Sequence, residues 1–92
     1  MAKIYIVERE SEADVKAFAV QRESQADLLY CEVERESKAK GDALWFLVER
    51  ESQATTKLMW VDRESQADLK VLQVERESKA KWKKSHELRG RL

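Results

Sequence analysis

The chain has no proline and only two glycines, Gly41 and Gly90, in 92 residues. Ordinary hairpin turns draw on both residue types, so this backbone must bend by another device. A single cysteine, Cys31, excludes an intrachain disulfide and fits a reducing compartment. The longest apolar run, Ala43 to Val48, is far too short to cross a bilayer. Residues 1–8 have neither the apolar length nor the cleavage site of a signal peptide. These absences lead to the expectation of a cytoplasmic protein with no membrane partner. Neither charge dominates, since Lys plus Arg and Asp plus Glu number 18 each.

What is present is mostly charge and repetition. Charged residues make up 39% of the chain, well above the usual quarter, while the apolar fraction of 42% is ordinary. Balanced signs and recurrent aromatic and branched residues argue against a disordered polyelectrolyte and for a thin core under a charged surface. Charge around so small a core favours a monomer. Lys79 to Leu92 holds six basic residues and one acidic, Glu87, which leaves the rest of the neutral chain acidic by the same margin. Such a tail suits either an interaction or docking on its own body.

The string Arg-Glu-Ser-x-Ala begins at Arg9, Arg22, Arg35, Arg50, Arg63 and Arg76, in steps of 13, 13, 15, 13 and 13. A valine stands two residues before each arginine: Val7, Val20, Val33, Val48, Val61 and Val74. Lys16, Lys57 and Lys70 follow the alanine by three residues, with Leu29 and Leu44 in the equivalent place elsewhere. The longer central step contains Gly41 and Asp42 and divides the chain into two halves of three units, offset by 41 residues. The organisation is therefore a six-unit β-repeat domain over residues 1–80, with units starting near 2, 15, 28, 43, 56 and 69, and a basic C-terminal tail over 81–92.

Local propensity favours helix, but the period opposes it. At about 100° per residue, 13 residues leave each unit rotated by roughly 220° from the last, so the valines would share no face. Strands account for more. The segments before the valines are short, aromatic and β-branched. Two residues before each valine stand Tyr5, Phe18, Cys31, Phe46, Met59 and Leu72, all apolar, and period-two geometry puts each pair on one face. These pairs are the expected core. The opposite face, with Ala19, Glu32, Leu47, Trp60 and Gln73, is mixed and suits half exposure. The turn is Arg-Glu-Ser-x-Ala, in which the hydroxyls of Ser11, Ser24, Ser37, Ser52, Ser65 and Ser78 are expected to close the bend. The arginines and their flanking acids are expected to pair around the surface.

The expected fold is mainly β: a compact repeat protein in two half-chains, with six or seven short strands. Three topologies fit: an antiparallel barrel, a flat β-solenoid, and a winding in which the second half passes between strands of the first. The tandem repeat, its lengthened central step, and the ending from Lys81-Trp82 to Arg91-Leu92 resemble the septknot family of small, mostly bacterial proteins, over essentially the whole chain. The chain departs from that pattern with Arg where an aromatic is expected before Glu-Ser, and with Lys40 and Lys81 in place of Asp, read here as surface variation. The resemblance implies a β fold whose backbone traces a seven-crossing torus knot, and it implies no particular activity.

Few residues carry chemistry. His86 is the only histidine and lies in the basic tail, whereas a triad needs a buried, oriented imidazole. One Cys and one His cannot supply a zinc site, and no Gly-rich phosphate loop is present. A serine repeated six times reads as a structural device. No catalytic residue, metal or cofactor is therefore expected, and the function reads as a non-enzymatic, stable structural or interaction module with no identifiable partner. The alternative is weak binding of nucleic acid or another anionic partner by the tail. There Lys81, Trp82, Lys83, Lys84, Arg89 and Arg91 interleave an aromatic with cations.

Overall fold

A computed structural model describes residues 2–92. In each unit an extended segment rises through a strand, runs on past the valine, and bends at a three-residue 3₁₀ turn. The strands are β1 (Ala2–Ile6), β2 (Val15–Ala19), β3 (Leu28–Glu32), β4 (Leu44–Leu47), β5 (Thr56–Trp60) and β6 (Leu69–Gln73), followed by a short β7 (Lys81–Trp82). Among the described residues no helix is long and apolar enough to cross a membrane.

The bend is closed by the main chain. Each arginine is extended, with φ between −110 and −130°. The alanine N–H then donates to the carbonyl of the glutamate three residues earlier, at 3.0–3.2 Å in every unit. The serines are exposed, so the expected closure by their hydroxyls is replaced by this backbone bond. Ala26 and Ala39 are wholly buried where the chain turns back onto the sheet, which leaves no room for a larger side chain. Both glycines sit at positive φ, Gly41 in the central step at 68° and Gly90 in the tail at 84°, a region open to a residue without Cβ.

Around the ring the order is β4-β1-β5-β2-β6-β3, and β3 also pairs with β4, which closes a six-stranded barrel. All six strands run parallel. An antiparallel meander is therefore excluded, as is a flat coil. The second half inserts β5 between β1 and β2, and β6 between β2 and β3. The register steps uniformly: Thr56 lies beside Ile4, Val15 beside Leu58, Leu69 beside Ala17 and Leu28 beside Val71. Such a constant stagger is what tilts strands around a barrel axis. β7 runs antiparallel beside the first residues of β3, where β4 has not yet begun.

A reciprocal clamp fixes that register. The Lys16 N–H donates to the Asp68 carboxylate at 3.1 Å while the Asp68 N–H donates to the Lys16 carbonyl at 2.7 Å. Asp14 with Lys57, Asp27 with Lys70, and Thr55 with Lys3 repeat the arrangement. Of the two units with Lys in the aspartate position, the one at Lys40 still leads into a parallel strand, β4, and only the one at Lys81 departs from the parallel pattern; both lysines are exposed. Lys40 precedes the central step and Lys81 starts the antiparallel strand.

The barrel interior lies on the other parity from the one expected, although Val7, Val20, Cys31 and Val33 of the expected pairs are buried as well. Ala2, Ile4, Val15, Ala17, Leu28, Tyr30, Trp45, Leu58, Leu69 and Val71 point inward and are buried. Tyr5, Phe18, Phe46, Met59 and Leu72 are only half-buried, on the outer face. The valines end the ladder instead: the Val7 N–H reaches the Leu58 carbonyl and the Val20 N–H reaches that of Val71. Returning turns cover the outer face, so Val20, Ala26 and Leu29 form a second small cluster with Phe18, Leu72 and Val74. The outer face thus carries apolar residues beside the lysines Lys3, Lys16, Lys57 and Lys70.

Candidate functional site

Three inward positions per strand stack along the barrel as layers of six. The lowest layer is Ala2, Val15, Leu28, Ala43, Thr56 and Leu69, and the middle one is Ile4, Ala17, Tyr30, Trp45, Leu58 and Val71. Every member is buried except Ala43, which is half-buried. The third layer is Ile6, Ala19, Glu32, Leu47, Trp60 and Gln73, and all six are exposed. The two ends of the barrel are therefore different surfaces.

The end at the strand N-termini is closed by the C-terminal tail. Leu92 is buried in the main core, and its carbonyl accepts hydrogen bonds from the Thr55 and Thr56 hydroxyls at 2.6 and 3.1 Å. Asp42, in the central step, is the hub. Its carboxylate accepts the Trp82 Nε1–H at 2.9 Å, the Leu92 N–H at 3.1 Å and the Gly90 N–H, while its carbonyl accepts the Trp45 Nε1–H at 2.6 Å. The Trp82 ring stacks on His86 at 5.6 Å. The Leu88 N–H donates to His86 Nδ1 and leaves Nε2 to donate to the Asp68 carbonyl at 2.9 Å. That pattern holds the imidazole as the Nε2–H tautomer.

The sequence-selected tail residues thus have diverse positions. Trp82 is half-buried against His86 and Asp42. Lys83 pairs with Glu23 at 3.6 Å, and the main-chain N–H groups of Lys83 and Lys84 point at the Asp27 carbonyl. Lys81, Lys84, Arg89 and Arg91 are exposed. The six turn serines are spread around the circumference and converge nowhere. Among the described residues, no three His, Cys, Asp or Glu side chains are placed to hold a metal ion.

The end at the strand C-termini is a mouth left uncovered, with an apolar side on the neighbouring strands β4, β1 and β5 and Ala19, Gln73 and Glu32 on the other side. Ile6, Leu47 and Trp60 are 39, 41 and 38% exposed. β5 stands opposite β3 in the ring, and Trp60 reaches across to within 6.3 Å of the Tyr30 ring and 6.5 Å of Trp45, which stack on each other at 3.9 Å. Burial, with a smaller contribution from Glu32, pushes the Tyr30 hydroxyl up to about 12.

Beyond the rim the chain passes a Glu, Gln or Asp and then the arginine, all exposed. Ile6, Glu8 and Arg9 line one shallow groove, and Leu47, Glu49 and Arg50 another. A third, of about 660 Å³, is bounded by Glu32, Glu34, Arg35, Glu75 and Arg76. Cys31 lines it, with its thiol pushed up by burial, then by Glu77 and Glu32. The expected arginine pairs are absent among the described residues. The glutamate after each arginine pairs with lysine instead, as in Glu51–Lys57 at 2.9 Å and Glu64–Lys70 at 3.1 Å.

The mouth escaped the sequence reading because the inward parity was assigned to the other face. Its signal was the third step of the alternation in each unit, from Ala2 through Ile4 to Ile6, and from Thr56 through Leu58 to Trp60. A family model described as the 7(1) septoil knot domain matches residues 1–83. No curated protein and no solved structure matches the chain.

Proposed function

The chain belongs to the septoil knot domain family, and from that footing we propose that it is a non-enzymatic, durable module that presents the barrel mouth to a partner. One observation carries this reading. Asp42, Asp27, Asp68 and His86 hold strands and tail together, while Ile6, Leu47 and Trp60 stand exposed at one end of an otherwise sealed barrel. Exposed apolar patches of this kind mark interaction sites. A photoreactive residue placed at position 47 should crosslink a partner in source-cell extract, while one at position 84 should not. Equal adducts at both positions, or none at 47, would sink the proposal.

The same proposal includes a seven-crossing torus knot. The alternation of first-lap and second-lap strands around the ring supports it, against a strong general bias toward unknotted chains. Pulled from both ends, a knotted chain extends to less than the roughly 3.3–3.6 Å per residue of a free one, because the tightened knot retains residues. A contour length equal to that of an untied chain removes the knot.

Lys81, Lys84, Arg89 and Arg91, exposed and without ion pairs among the described residues, favour a second reading: weak binding of an anionic partner by the tail. Trp82 is already stacked on His86, which makes this the weaker reading. Deleting the tail would also remove Leu92 from the core, so the test is charge reversal at Lys84 and Arg89. A low-salt gel shift lost in the reversed variant supports the reading, and no shift in the parent chain ends it.

A further inference from the structure

We propose that the plugged end of the barrel is a peptide-binding socket, that the chain's own tail fills it as a ligand in cis, and that the tail of a second copy takes its place when chains are concentrated. The socket lies at the strand N-termini, away from the mouth, and does not depend on what the mouth binds.

The lowest layer is lopsided. Ala43, Ala2 and Thr56, at the starts of the neighbouring strands β4, β1 and β5, are small. Val15, Leu69 and Leu28, on β2, β6 and β3, are larger and fill the other side. Close-packed interiors leave few such gaps empty. Leu92 comes in on the short side, where the Thr55 and Thr56 hydroxyls donate to its carbonyl at 2.6 and 3.1 Å. It is 3% exposed in the same buried cluster as Ala2, with Ala43 and Leu88 packed against that cluster.

The body reads the tail as a ligand is read. Its side chains hold the tail's main chain: the Asp42 carboxylate accepts the N–H groups of Gly90 and Leu92, and the two threonines hold the Leu92 carbonyl. Among the described residues Thr56 is the one buried polar residue, and its hydroxyl is spent on the tail. Of the last four tail side chains only that of Leu92 is buried, while Arg89 and Arg91 are exposed. Main-chain hydrogen bonds with a pocket for a chosen side chain are a recurring mode of peptide recognition. The chemistry selected is glycine, any residue, leucine, with glycine suited to the φ of 84° at position 90.

A second copy brings that same segment. From Lys83 to Leu92 the tail adds no strand to the sheet, and Lys84, Ser85 and Glu87 are exposed. Segments with so few buried groups open without the rest of the fold. Residues 85–92, drawn out, reach roughly 26–29 Å, enough to pass from one base to another facing it. Exchange keeps the same contacts, so concentration decides between cis and trans. A tethered tail has an effective concentration near the millimolar range, and the single chain is the dilute form.

Two full-length variants test this. Leu92→Glu spoils the tail and keeps the socket, whereas Ala43→Leu fills the socket and keeps the tail. Each alone should sediment as one chain, and their equimolar mixture should rise toward the mass of two. A labelled peptide copying residues 84–92 should bind the Leu92→Glu chain at least tenfold more tightly than the parent, whose socket is occupied. The same peptide carrying Leu92→Glu should not bind. If circular dichroism shows Leu92→Glu unfolded, Leu92→Ala carries both arms. Equal peptide binding to parent and variant, or none to either, overturns the socket. Peptide binding with a mixture that stays at single-chain mass overturns the second copy as donor. Neither arm involves position 47, so the reading of the mouth stands or falls separately.

Discussion

Asp42 shows how much of this molecule depends on single acceptors. Its carboxylate gathers Trp82, Gly90 and Leu92 and so joins the central step to the tail. Asp42→Ala should lower stability by about 2–4 kcal/mol, since hydrogen bonds to a charged acceptor contribute about 1.5–3 kcal/mol each and are not additive. A urea midpoint shift measures it, and a change within error would show that the tail needs no hub. Trp45 is 1% exposed, and Trp45→Ala should cost about 3–5 kcal/mol through the cavity it leaves. Ionisation divides by sign. Glu10 is held below the ordinary carboxylate range by its hydrogen bond and attraction to Lys16. Its stabilisation is present above that range and fades as pH falls through the lowered value. Lys16 is raised by the same bond, so its share is present at neutral pH and is lost as pH rises through the raised value. Both groups are exposed and the effect is small. In a carboxyl NMR titration, Lys16→Met should return Glu10 upward, and an unmoved Glu10 would contradict the pairing.

The unit of strand and turn is the scale at which the sequence spoke most clearly. Its period of 13, the valine at each strand end and the extended segments before it are visible in the string, and six strands fall where those segments lie. The inward face was not visible, because Tyr5 and Phe18 pack under returning turns while Ile4 and Ala17 fill the barrel. Alternation tells two faces apart only when one meets water. The clamp was hidden for another reason: Asp68 and Lys16 are 52 positions apart, and only the winding brings them together. Asp68→Ala should therefore cost about 0.5–1.5 kcal/mol, while Ser24→Ala, at an exposed turn position, should stay within about 0.5 kcal/mol of the parent. Chemical denaturation of the two variants checks the contrast. An equal loss in both would restore a structural role to the serine hydroxyl.

For the whole molecule, the two ends have opposite characters, one plugged and one open. Removing residues 84–92 should uncover the lowest layer and leave Asp42 with fewer donors. Burial of Leu92 alone is worth about 1.5–3 kcal/mol. Lower urea resistance and new binding of a hydrophobic dye are expected, and a truncated chain as stable as the parent would refute the plug. The interleaved strand order has a different consequence, one of timing. Apart from β3 beside β4, where Cys31 meets Leu44, the first-lap strands take as barrel neighbours strands made a whole lap or more later, as Leu28 with Val71 and Ile4 with Thr56. During synthesis, which adds about 5–20 residues each second, β1, β2 and β3 emerge as spaced ribs with bare edges. The sheet waits for the second lap, and any factor that shelters open strand edges has its client in that interval.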